Sequence, residues 1–172
     1  MGDAAYLPGK GTIYDLLKLG AYFGSSSVMY RKQYEFSHSA NVDIVDYFFH
    51  IERASKGNIF LDRKVFGEYR IHDQGISKNS IFRKTTERCY EAAFDRAMEL
   101  GVERKIVQSA RMNRRMAFAI AQYLSGDVVG YKDRIKINRN EFGLASKKHL
   151  ILHWTRGFPI LVGIYGRLRG LT

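Results

Sequence analysis

Two apolar stripes at helical spacing follow one another between Tyr90 and Leu124, and a glycine closes each of them. Tyr90, Ala93, Phe94, Ala97 and Met98 recur at intervals of three and one residues and stop at Gly101. That spacing gathers the side chains on one helix face, which a folded chain must cover. Val102, Ile106, Ala110, Asn113, Ala117, Ile120 and Leu124 form a second stripe, interrupted by Asn113, that ends before Gly126. Arg111, Arg114 and Arg115 fall off that stripe, and a shorter helix is expected after Asp127. Residues 81–172 therefore read as a mainly α-helical part.

The pattern upstream of Ser80 differs. "YLPGKGT" reads as a loop through its Pro and two Gly, and "IYDLLKLG" as a short helix stopped by Gly20. "SSSVMYRK" has the look of a strand, with Met29 and Tyr30 expected to pack. "NVDIVDYFFHIERASKG" fits a helix that Asn41 or Asp43 would cap. Its apolar face is Ile44, Phe48 and Ile51, and Gly57 lies just past its end. "NIFLDRKVFGEYRIH" then reads as one or two strands with a turn near Asp62 to Lys64. At its end, in "GEYRIHDQGIS", Arg70 and His72 alternate with Tyr69 and Ile71 and so share one face.

Charge separates the same two parts. Residues 1–82 carry ten Lys/Arg against nine Asp/Glu, whereas residues 83–172 carry eighteen against eight, so nearly all of the net +11 lies in the second part. That asymmetry points to an anionic partner, either nucleic acid or lipid headgroups. From Phe142 onward there is no acidic residue, and Trp154 and Phe158 stand among basic ones, the composition of an interfacial helix. The apolar run Phe158 to Tyr165 is eight residues, too short to span a bilayer. With 45% hydrophobic residues and two prolines the chain is of the folded, globular class. The single cysteine, Cys89, excludes an internal disulfide, and no Cys/His cluster has zinc spacing. The start of the chain lacks a signal-peptide pattern, so a cytoplasmic location is expected, peripheral on the inner face of the cell membrane if the basic tail binds lipid.

The order small-polar strand, acid-bearing helix, alternating strand and "YRIH" carries a resemblance. "SSSVMYRK", "VDIVDYFFHIERASKGNIFLD" and "GEYRIHDQGIS" together resemble the carboxyl-terminal part of a family 2 (GT-A fold) glycosyltransferase catalytic domain, over residues 12–80. The resemblance implies an α/β fold class for residues 1–80. They would form a partial GT-A fold, the strand-helix-strand acceptor-side half of the catalytic domain. Residues 81–172 would be a helical, basic extension. It also implies a hexosyltransferase-type reaction (EC 2.4). A sugar would pass with inversion from a nucleotide-sugar donor to the hydroxyl of a sugar, lipid-linked or protein acceptor, as in polysaccharide or glycoconjugate synthesis.

The family pattern lays the general base on Asp46, with Asp43 as the competing candidate or as a cap that holds Asp46. Val45 stands where the family often has Glu. His72 would coordinate a divalent Mg or Mn ion or hydrogen-bond the leaving phosphate. Arg70 would pair with that phosphate, or with Glu68, Asp46 or Asp73. Ser26, Ser27 and Arg31 would border the acceptor, with Gly75 and Ser77 in a nearby loop. The family's main metal ligands form an Asp-x-Asp motif, and none occurs in the chain. The expectation is thus of a portion without the amino-terminal nucleotide-binding half, inactive by itself. Two readings from other classes stand beside it: a basic helical nucleic-acid binder carried by Arg111, Arg114 and Arg115, and a non-catalytic interaction module.

Overall fold

A computed structural model describes residues 9–21, 28–29, 46–62, 64, 80–143, 150–151, 153–154, 160 and 164. These are predominantly helical, with one small antiparallel sheet. In chain order the elements are β1 (Lys10–Gly11), α1 (Ile13–Leu19), α2 (Tyr47–Ala54), β2 (Ile59–Phe60), α3 (Ser80–Glu99), α4 (Arg104–Leu124) and α5 (Val128–Phe142). The chain divides into two compact units, residues 2–107 and, with Met1, residues 108–172. No described helix is long and apolar enough to cross a membrane.

In the first unit β1 pairs with β2 in the register Lys10 to Phe60 and Gly11 to Ile59. The Leu61 N–H extends the pairing by donating to the Gly9 carbonyl at 3.1 Å. A two-residue strand has no readable period, so what looked like loop in "PGKGT" contains β1. The helix α1 starts at Thr12, whose N–H and hydroxyl both donate to the Asp15 carboxylate, at 2.7 and 2.9 Å. This ties down the first turn. Gly20, at φ 80°, closes α1 as expected.

The core of this unit lies where α2 packs on α3 and α1. A helix of eight residues such as α2 is marginal by itself in water, so packing decides whether it forms. Tyr47, Phe48, Ile51 and Ala54 are buried on α2, opposite Tyr90, Ala93, Phe94 and Ala97 of α3. The expected α3 stripe is therefore the buried face. Gly101 at φ 86° ends the run: its N–H donates to the Met98 carbonyl, and that of Val102 donates to Ala97, both at 3.0 Å. This is a Schellman closure with Val102 buried behind it.

Three expectations for the first unit change. The helix α2 begins after Asp46, its N-cap, rather than at Asn41 or Asp43, which lie outside the described residues. Val28 and Met29 are not in a strand, and Met29 is 97% exposed instead of packed. A strand buries alternate side chains only where another strand is bonded to it, and the one sheet among the described residues is β1–β2. The turn expected near Asp62 is present, with the Lys64 N–H donating to the Asp62 carboxylate at 3.0 Å.

The second unit is built on α4 and α5. Met116, Ala119 and Ile120 of α4 enclose Tyr131 and Ile135 of α5, with Tyr123 and Leu124 at the margin. The α4 stripe is rotated from the expected one: Met112 and Met116 are buried, while Asn113 and Ala117 are exposed. Methionine covers more apolar area than alanine and adapts to gaps, so the methionine row turns inward. The link between the helices is three residues, Ser125 to Asp127. Gly126, at φ 91°, donates to the Tyr123 carbonyl at 2.9 Å, and the Asp127 N–H donates to Gln122 at 3.1 Å. Asp127 also starts α5, its carboxylate accepting from the Gly130 N–H at 2.8 Å and from the Gln122 amide. Those two bonds hold the Asp127 carboxyl below the usual carboxylate range.

A side chain added at Gly126 would meet open space, so the cost of Gly126→Ala is that of the left-handed backbone alone. Urea titration is expected to show about 1 kcal/mol lost in the variant, with an unchanged m-value.

Candidate functional site

The site expected from the sequence has one described member, Asp46. Ser26, Ser27, Arg31, Asp43, Arg70, His72, Gly75 and Ser77 lie outside the described residues. Asp46 stands at the N-cap of α2 with helical backbone angles (φ −49°, ψ −25°). Its carbonyl accepts the His50 N–H at 3.0 Å, which starts the helix ladder. Its carboxylate makes no capping bond and is exposed.

The residue after Asp46 anchors the start of α2. Tyr47 is 2% exposed, and its hydroxyl donates to the Leu16 carbonyl of α1 at 3.0 Å. Its ring lies 4.1 Å from the Tyr90 ring and meets the Phe94 ring edge-on at 6.3 Å. Three helices thus converge on the residue bonded to Asp46. Aromatic contacts of this kind add about 0.5–1.5 kcal/mol each beyond the area they bury.

One turn further, His50 is 3% exposed and titrates at about 4, well below its ordinary 6.5. Burial is the largest cause and Arg53 adds to it, while the Asp46 charge opposes both. The imidazole is accordingly neutral at neutral pH. Beside it, Glu52 is 5% exposed and accepts from Arg96 Nε of α3 at 2.9 Å. Arg96 also donates to Glu99 at 2.8 Å, and these two carboxylates, Glu99 first, raise its pKa. The guanidinium of Arg53 sits over the Phe49 ring at 5.6 Å. A buried acid paired to a cation on the neighbouring helix costs several kcal/mol if one partner is removed. It therefore holds α2 at a set rotation on α3.

His50, Glu52 and Tyr47 had not been singled out from the sequence. The available signal was spacing: His50 follows Asp46 by four residues, hence on the same helix side. Among the described residues no group of three or more His, Cys, Asp or Glu is arranged to hold a metal ion. Arg115, one of the three α4 arginines read as a nucleic-acid contact, is ion-paired with Glu141 and lies 5.4 Å over the Phe142 ring. No family model, curated protein or solved structure matches this chain.

The His50 shift carries a sign for stability. As pH falls, the unfolded chain takes up the imidazole proton near 6.5 and the folded chain only near 4. The contribution is complete above pH 6.5 and drains as pH falls from there to 4, up to about 3 kcal/mol in all. Urea unfolding from pH 7 to 4 should follow this slope, and His50→Leu should flatten it. An equal slope in the variant would contradict the assignment.

Proposed function

We propose that this chain is the acceptor-side portion of an inverting glycosyltransferase of the GT-A type, with Asp46 as its general base. The observation that supports the reading is the carboxylate of Asp46: exposed, unused in capping, and next to Tyr47, whose hydroxyl is bonded to α1. In this reading it removes the proton of an acceptor hydroxyl. The freed oxygen attacks the anomeric carbon as the bond from that carbon to the nucleoside diphosphate breaks. A base held within hydrogen-bond reach of its proton contributes about 10²–10⁴-fold in rate.

Departure of the diphosphate develops negative charge, and in this reading Arg70 with His72 compensates it. Neutral His50 suits the same role for Asp46. An imidazolium there would pair with the carboxylate and weaken it as a base, and burial prevents that above the pH at which His50 titrates. The Mg or Mn ion that such enzymes use for the donor diphosphate is bound mainly through Asp-x-Asp, which this sequence does not contain. In this reading sugar transfer needs a donor-binding half that residues 1–172 do not supply, and these residues by themselves are expected to be inactive.

Mixing the chain with such a half, a nucleotide sugar, Mg or Mn and an acceptor tests the reading. Transfer is expected from the mixture and from neither part alone. Asp46→Asn should lower kcat by about 10²–10⁴-fold with little change in donor KM. Transfer at the full rate by Asp46→Asn would overturn the assignment of the base, and no transfer from any mixture would overturn the family reading.

A further inference from the structure

Past α5 the chain carries an apolar surface that the sugar-transfer reading does not use. Leu150, Ile151 and Trp154 are helical and 38%, 61% and 75% exposed. Their spacing sets them on one side of a helical turn. His153 points the other way: it is buried, with Nε2 2.6 Å from the Arg139 guanidinium of α5. The turn is thus held to α5 by its inner side while its outer side is bare hydrocarbon and indole. Further along, Ile160 and Ile164, also helical and one turn apart, are 71% and 51% exposed. Single exposed apolar residues are ordinary, but a concentration of them marks a contact surface.

Charge selects the occupant. From Phe142 to Thr172 there are five Lys/Arg, two of them (Lys147 and Lys148) just before Leu150, and no Asp or Glu. A second copy of the chain would bring like charges together across a self-complementary contact. Nucleic acid would satisfy the cations and leave Ile151 and Ile160 without an apolar partner. An anionic bilayer offers phosphate to the first and acyl chain to the second. Indole rings settle at the headgroup level of such a surface.

We infer that the exposed face of Leu150, Ile151 and Trp154 docks the chain on the surface of an anionic bilayer, with these three side chains inserted at the headgroup boundary. The contact is interfacial and does not span the membrane. It is independent of the sugar-transfer reading, because it contains none of the residues assigned to chemistry.

Trp154 is the one tryptophan of the chain and reports on itself. The full chain is titrated with vesicles of phosphatidylcholine alone and with 30 mol% phosphatidylglycerol. Its emission is followed together with quenching by brominated acyl chains and vesicle sedimentation. The expected result is a blue shift and quenching with the anionic vesicles, weakened by salt. Lys147→Gln and Lys148→Gln should each lower the partition about fivefold. Ile151→Glu should abolish it while the far-UV circular dichroism stays unchanged. Three results would overturn the inference. One is an emission unchanged by either vesicle. Another is a blue shift without lipid that grows with protein concentration, the sign of a second copy. The third is salt-sensitive retention on duplex DNA by a chain that does not sediment with vesicles.

Discussion

The first unit depends on the convergence of three helices on one side chain. Tyr47 is the first residue of α2, donates its hydroxyl to a carbonyl of α1 and lays its ring against Tyr90 and Phe94 of α3. Nothing in the eight residues of α2 would make a helix stable alone, so this packing sets where the helix begins. The start decides everything local to it. Asp46 becomes the cap position, His50 is drawn into the interior, and Glu52 meets Arg96 across the helix pair. A hydrogen bond of this kind contributes about 1 kcal/mol net, less than the burial of the ring. Its value is directional, because only one rotation of α2 lets the hydroxyl reach Leu16.

The second unit solves a different problem with different means. Its hairpin link is three residues, and each is committed: Ser125 to a helix carbonyl, Gly126 to a left-handed turn, Asp127 to both closing α4 and opening α5. The core beneath is a small set of methionine, alanine, isoleucine and tyrosine side chains. Of the cations on α4, Arg115 is paired with Glu141 of α5. The segment from Phe142 to Thr172 carries five Lys/Arg and no acid.

Helix ends were legible where a residue type had a unique physical reason to be there. Gly101 and Gly126 both adopt positive φ, which the sequence pattern foretells because few other residues do so cheaply. The start of α2 was not legible. Asn41, Asp43 and Asp46 are all good caps, and the choice among them was made by the burial of Tyr47 against residues more than forty positions away. The same distance hid Glu52, whose partner Arg96 is forty-four residues on. On α4 the stripe was found but its rotation was missed, since Asn113 and Ala117 keep the period as well as Met112 and Met116 do. Of the candidate site, the position and exposure of Asp46 are described, while Arg70 and His72 lie outside the described residues.

The catalytic proposal needs the start of α2, where Asp46 stands, to stay in one place, and Tyr47 anchors that start. Amide hydrogen exchange at His50, whose N–H bonds to the Asp46 carbonyl, reads that anchoring directly. In Tyr47→Phe the ring packing remains and the bond to Leu16 is lost. Exchange at His50 and Ile51 should then rise about fivefold, with the amides of α5 unchanged. Equal exchange rates at His50 in both proteins would contradict the claim that Tyr47 anchors the start of α2.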